Sequence, residues 1–429
     1  MNSIKIFLSC WSLIGSSNLL ASVDYSSIGG DVYKVATTPV TPSFAGNPIN
    51  LNDLSQSSTT MYNIRASGRY YIAGDLKIDA TSNDSTIIKV TASNVMLNLN
   101  TAMIYQNISD AATGLIGVEV AANLSNVVIR NGTINGNTTN MVNGIKVNSG
   151  ANNIVIENVN VLGCYTAGTE VSGLLLNTCS DVQVRDSEFN LNKSAATYAV
   201  NGIKLIDCTK CILENCTAVG NYGAGGASGA TVYGIRLESS SGGCKYNRIV
   251  NCQATNNYTS GTDTNSNTIG FYANNGQSNI FDNCTSLGNQ GTATAISAYG
   301  AGFKFDGTEK YSSIMNSAII GNGCAVANTS GVAYGIWIPS TVTYCEIRNN
   351  RILGNSANLT AYGIYDPAAL LIVNLYVSNF AHGNINNAGT ITNFGMTVSF
   401  SSSKLVATYN VLTTLASAVS SYYNIDVTA

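Results

Sequence analysis

Charge is the scarcest ingredient of this 429-residue chain: lysine, arginine, aspartate and glutamate together make up 10% of it, and the formal net charge is -3. Holding nucleic acid by its phosphates takes a basic surplus, so DNA and RNA are not expected partners. Histidine occurs once, which argues against a zinc site built from paired Cys and His ligands. Proline is held to five residues, and no stretch beyond the N-terminal region is apolar for long enough to span a bilayer. What is plentiful points to a packed chain of short strands and tight turns: 45% hydrophobic residues, 41 glycines and 23 tyrosines, with much Asn, Ser and Thr.

Residues 1–21 have the form of an export signal, with Lys5 as the lone positive charge, a mostly apolar Ile6–Leu20 run and the small residue Ala21 at a cleavage point. The expected location is secreted, periplasmic or cell-surface.

A glycine followed by an alternating strand recurs from Gly117-Val-Glu-Val to Gly363-Ile-Tyr-Asp, by way of Gly144, Gly173, Gly202, Gly234, Gly270, Gly302 and Gly335. Each period continues with a second apolar pair, an Asn, a third apolar pair and often Gly-Asn, as in Ile212-Leu-Glu-Asn-Cys-Thr-Ala-Val-Gly-Asn. Three short strands per repeat, none able to bury its apolar face alone, specify a stacked β-solenoid. Aligning the repeats places Asn131, Asn158, Asp186, Asn215, Asn251, Asn283, Asn316 and Asn349 in one column. A second column six residues on holds Asn137, Asn192, Asn221, Asn257, Asn289, Asn322 and Asn355. Stacked about 4.8 Å apart, such amides can bond from coil to coil, and the first column is expected to form a buried ladder.

An Asn column in a turn of fixed length, followed by a turn of variable length, resembles the pectate-lyase-like right-handed parallel β-helix superfamily over roughly Ile64 to Asn384. The resemblance implies an all-β, single-stranded right-handed parallel β-helix of about ten coils, hence about 50 Å long. The expected divisions are a signal over 1–21, a lead-in over 22–63, the β-helix over 64–400 and a cap over 401–429. In the cap Leu412, Leu415, Val419 and Tyr422 space like one apolar helical face.

Cys216, Cys252 and Cys284 directly follow the first Asn column and are expected as free thiols in the core, with Cys179 and Cys208 as a second stacked pair. Cys208-Thr-Lys-Cys211 has zinc-site spacing but no matching partner pair. Just before the Asn column, Arg130, Glu157, Arg185 and Glu214 alternate in sign, which disfavours a slip of one coil.

In the resembled superfamily the carbohydrate cleft lies on the outward face of the strand after the variable turn, here the Gly-Ile strand. Two residues after each glycine come Glu119, Lys146, Leu175, Lys204, Arg236, Tyr272, Lys304, Trp337 and Tyr365; Glu238 and Asp306 lie two further on. Aromatic faces stack on sugars and cations pair with uronate carboxylates, so Lys204, Arg236, Glu238, Tyr272, Lys304, Asp306, Trp337 and Tyr365 are the candidate substrate-binding residues. The expected partner is a polysaccharide or cell-surface glycan, bound without catalysis. The alternative is a polysaccharide lyase or glycoside hydrolase working on an acidic polysaccharide in the same groove. No cofactor is expected, and calcium only for a lyase. The Asp pair and Gly-His-Gly of polygalacturonases are missing, as is the acid-and-histidine motif of mannuronan epimerases, and His382 lies away from the stripe.

Overall fold

Every strand pairing in the described residues is parallel and joins one coil to the next, as short strands with one apolar edge require. The computed structural model describes residues 49–51, 60–78, 85–106, 114–136, 140–195, 198–224, 229–240, 243–260, 266–291, 298–324, 331–339, 341–366, 374–386 and the strands at 392–396, 406–408, 411–412, 415–416 and 425–426. They fall within one compact unit, Thr41–Ala429. The expected signal, most of the lead-in, Asn137, Val419 and Tyr422 lie outside the described residues.

Three sheets run along the solenoid. The Gly-Ile strands form a 13-stranded sheet, short strands such as Tyr222–Ala224 form an 8-stranded one, and a 24-stranded sheet takes two strands from most coils. The chain thus folds as the all-β parallel β-helix expected. No helix among the described residues is long and apolar enough to cross a membrane. The C-terminal segment departs from expectation. Val406–Thr408 pairs with Leu375–Val377, Val411–Leu412 with Phe380–Ala381, and Leu415–Ala416 with Phe394–Gly395. Leu412 and Leu415 therefore extend the sheets instead of sharing a helical face.

Register is set by what points inward. Ile203, Ile235, Phe271, Phe303 and Ile336 pair in file and are fully buried, with Phe271 stacked on Phe303 at 4.5 Å. The repeat glycines also face inward. A Cβ on Gly302 would lie 2.4 Å from Ile319 Cγ2 and 2.7 Å from the Gly335 carbonyl oxygen. Gly302→Ala is therefore expected to cost about 3 kcal/mol, the upper end for overpacking, read as a lower urea midpoint at unchanged m-value.

The buried ladder is formed by the second Asn column and not, as expected, by the first. Asn192, Asn221, Asn257, Asn289, Asn322 and Asn355 are wholly buried. Each Nδ2 donates to the next Oδ1, at 2.7 Å from Asn192 to Asn221 and again from Asn257 to Asn289. The column from Asn131 to Asn349 lies outside: Asn158, Asn215, Asn251 and Asn283 are exposed and take φ of 49°, 53°, 53° and 52°. These residues make the left-handed bend between the two strands of the 24-stranded sheet, a conformation asparagine tolerates better than most residues. They still align, with Asn283 Nδ2 donating to Asn251 Oδ1 at 2.7 Å. The charged column pairs as expected where Glu157 meets Arg130, at 3.7 Å, and Arg185.

All ten described cysteines are free and buried. In file with Cys179, Cys208 and Cys244, the next coils place Gly276 and then Glu309. The Glu309 carboxylate is fully buried and accepts from Gly276 N at 2.6 Å, Asn279 Nδ2 at 2.9 Å and the Ser312 hydroxyl. Burial pushes its pKa up despite those three bonds, which act the other way. A carboxyl raised in the folded state keeps its proton to higher pH than in the unfolded chain. Stability should therefore fall as pH rises from the ordinary glutamate range through the raised value. As pH rises from 4 to 7, the urea midpoint of Glu309→Gln should therefore gain steadily on that of the wild type.

Candidate functional site

The outward column of the Gly-Ile sheet is in the expected register: Lys204 pairs with Arg236, Arg236 with Tyr272, Tyr272 with Lys304, Lys304 with Trp337 and Trp337 with Tyr365. Glu238, Asn274 and Asp306 form the neighbouring file. All eight candidates thus lie on one continuous face.

Their environment differs from an open groove of free charges. Lys204 and Lys304 are 6% and 8% exposed and Tyr272 7%, because acids from the same chain hold the cations down. Lys204 Nζ lies 2.8 Å from Glu170 and 3.1 Å from Glu238; Arg236 lies 3.1 Å from Glu170 and 2.6 Å from Glu238. Lys304 pairs with Asp306 at 2.7 Å, while the Tyr272 hydroxyl donates to Asp306 at 3.1 Å. The Lys304 ammonium also sits 4.0 Å from the centroid of the Trp337 ring, and the Arg236 guanidinium 4.4 Å from that of Tyr233, distances at which cation–π attraction is felt. Lys204, Arg236 and Lys304 thus each have a counter-charge within the chain.

The acids are equally engaged. Burial would raise Glu170, but Lys204 and Arg236 more than offset it and hold its carboxyl below the ordinary range. Glu119, at the start of the column, is likewise raised by burial and lowered further by Thr86, Asn148 and Lys89, to a net depression. Tyr272 is pushed up by burial, and by Tyr233 and Asp306. Glu238 and Asp306 are two coil steps apart, about 9.6 Å by strand spacing, at the far edge of the separation that admits a water in inverting glycosidases.

At the C-terminal end of the face the charges give way to rings. Tyr334 stacks on Trp337 at 4.5 Å and on Tyr362 at 5.7 Å, and Tyr362 packs on Tyr365 at 4.4 Å. All four are half-buried, and the Trp337 Nε1–H has no hydrogen-bond partner among the described residues.

Five members of this site had not been singled out as candidates. Tyr233, Tyr334 and Tyr362 each immediately precede a repeat glycine. Strict alternation would assign that position and the one two after the glycine to opposite faces. The glycine and the residue after it both turn inward, so the two flanking positions share the outer face. The recurring Tyr-Gly-Ile was the available signal. Tyr299 and Glu170 lie just before their strands' glycines, beside turns of variable length, where no column predicts them.

A groove of about 400 Å³ lies elsewhere, lined by Asn215, Thr217, Asn251, Gln253, Asn283 and Thr285, and carries no charged side chain.

Residues 71–240 match the family model described as right handed beta helix region. No curated protein matches the chain. Among solved structures, the A-module of mannuronan C-5 epimerase AlgE4 from Azotobacter vinelandii is similar, with a TM-score of 0.48 and 16% identity over 82% of this chain and 100% of that one. The catalytic domain of a GH87 alpha-1,3-glucanase gives a TM-score of 0.42 and 13% identity over 85% of this chain and 63% of that one. PfbA, a surface adhesin of Streptococcus pneumoniae, gives 0.37 and 10% over 78% and 88%. The coil-to-coil pairing gives this chain the fold of a parallel β-helix, and residues 71–240 of it match the right-handed β-helix model.

Proposed function

We propose that this chain is a non-catalytic glycan-binding β-helix of the cell exterior, and that the sugar lies against Tyr334, Trp337, Tyr362 and Tyr365. The observation that carries this reading is the run of stacked, half-buried rings. Sugar rings present C–H faces that stack on aromatic surfaces. Binding is favoured over turnover because Glu238 and Asp306, the carboxylates best placed to act, are each tied to a lysine or arginine of the same face. An extracytoplasmic location is supported by the Ile6–Leu20 run.

A glycan array probed with the wild type should give a specific binder. Trp337→Ala and Tyr365→Ala should each weaken it at least tenfold, about 1.4 kcal/mol, while Lys146→Gln at the other end of the face leaves it unchanged. Unaltered binding in both ring variants would reject the platform. Unsaturated products appearing from a uronate polymer would replace the binding reading with a lyase.

A further inference from the structure

The last left-handed residue of the corner after each Gly-Ile strand changes identity along the solenoid. In early coils it is Asn94, Asn126 and Asn153, with φ of 59°, 58° and 51°. Their amides bond in file, Asn126 to Asn94 at 2.8 Å and Asn153 to Asn126 at 2.5 Å. Later coils place Tyr246, Ser278, Tyr311 and Tyr344 at the same position, still at φ of 55° to 58°. The core does not demand these rings. Tyr311 and Tyr344 are 54% and 55% exposed and stack on each other, with centroids 5.3 Å apart and planes 13° apart. Large rings kept in a disfavoured backbone conformation and out in solvent mark a contact surface.

Four cations lie beside them. Lys210 belongs to the same file, Lys245 and Lys310 immediately precede it, and Arg248 follows Tyr246 by two residues. None of these four cations makes an ion pair among the described residues. The nearby acids are each engaged or buried, apart from Asp181, which precedes Lys210 in the file: Asp207 is occupied by the Ser239 and Ser240 hydroxyls, Glu346, in the file of Arg248, pairs with Arg348, and Glu309, next to Lys310, is buried. On the Gly-Ile face, by contrast, acids neutralise the cations. From Lys210 to Tyr344 is four coil steps, about 19 Å.

We propose that this corner is a second binding surface, which takes an acidic polysaccharide laid along the file. Its anionic groups would meet Lys210, Lys245, Arg248 and Lys310, and its sugar faces Tyr311 and Tyr344. A row of cations and rings one coil apart suits a linear polymer of repeated charge, and this surface does not depend on the ring platform.

The test measures binding of the full chain to polygalacturonate, dextran sulfate, uncharged dextran and single-stranded DNA at low and high salt. The wild type should bind one or both acidic polysaccharides, more weakly as salt rises, and should bind dextran and DNA at least tenfold less. Preference for polygalacturonate would assign carboxylate recognition, and preference for dextran sulfate would assign sulfate. Lys245→Gln with Lys310→Gln should weaken binding at least tenfold and flatten the salt dependence. Tyr311→Asn with Tyr344→Asn, which restores the residue of the early coils, should weaken binding while raising Tm, separating lost contact from lost fold. Trp337→Ala should retain polyanion binding, so failure of the ring platform and failure of this surface are distinguishable. Undiminished binding in both double variants, or DNA bound as tightly as the polysaccharides, would overturn the proposal.

Discussion

Asn257→Ala is expected to cost roughly 3–5 kcal/mol of stability, whereas Asn283→Ala should cost about 1 kcal/mol or less. The difference comes from what each amide leaves behind. Asn257 Oδ1 accepts from the Asn221 side chain at 2.8 Å and backbone at 3.1 Å. Its Nδ2 donates to Asn289 Oδ1 at 2.7 Å and to the Ala218 carbonyl at 3.0 Å. Removing that side chain strands several polar groups inside a dry core, each costing about 1–3 kcal/mol, partly relieved if a water enters. Asn283 has one such bond, to Asn251, on an exposed turn where water can replace it. It also holds φ of 52°, so alanine adds a backbone cost of a few tenths to about 1 kcal/mol. Urea unfolding of the two variants under identical conditions measures the contrast, and equal losses would contradict the assignment of buried and exposed columns.

Glu170→Gln is expected to lose about 2 kcal/mol at neutral pH and to abolish part of the acid sensitivity of the fold. Breaking a buried ion pair typically costs 3–5 kcal/mol; the lower figure allows for a Glu170 side chain that is 37% exposed and so partly screened. The larger burden falls on Lys204 and Arg236, whose side chains are 7% and 13% exposed and would share Glu238 alone. The sign with pH follows from the depressed carboxyl. A group whose pKa is lower folded than unfolded contributes its stability above the ordinary glutamate value, about 4.3. It loses that contribution as pH falls through the folded value. As pH is lowered from 6 to 3, unfolding midpoints should therefore drop steeply in the wild type and less steeply in Glu170→Gln. Parallel curves would show that the pair contributes nothing.

Much of this architecture could be read from spacing alone, because a solenoid turns sequence period into spatial file. The column from Glu119 to Tyr365 was found by counting from each glycine, and the pairings reproduce it residue for residue. The inward thiols of Cys216, Cys252 and Cys284 followed from alternation in the same way. Errors arose where alternation breaks. A left-handed residue between two strands bends the chain outward, so Asn215 faces solvent while Asn221, past the second strand, points inward. The inward glycine brings Tyr334 beside Trp337, a neighbour that period-2 counting places on the other face. Glu170 reaches Arg236 across 66 positions, a contact no local pattern encodes. The spacing of Leu412 and Leu415 fits a helix turn and equally two short strands around a corner; pairing with the preceding coil decides for strands.

The claim beneath all of this is that equivalent residues of consecutive coils are direct neighbours. It can be tested with paired cysteines on the surface, since the ten described native thiols are buried. Thr217 and Gln253 are register partners, and Thr285 lies one coil beyond Gln253. Adjacent strands are about 4.8 Å apart, within the 4.4–6.8 Å that a disulfide spans between Cα atoms, whereas two coils exceed it. Mild oxidation should cross-link a Thr217→Cys, Gln253→Cys variant and leave a Thr217→Cys, Thr285→Cys variant open. The reverse result, or equal cross-linking of both, would contradict the register on which every column rests.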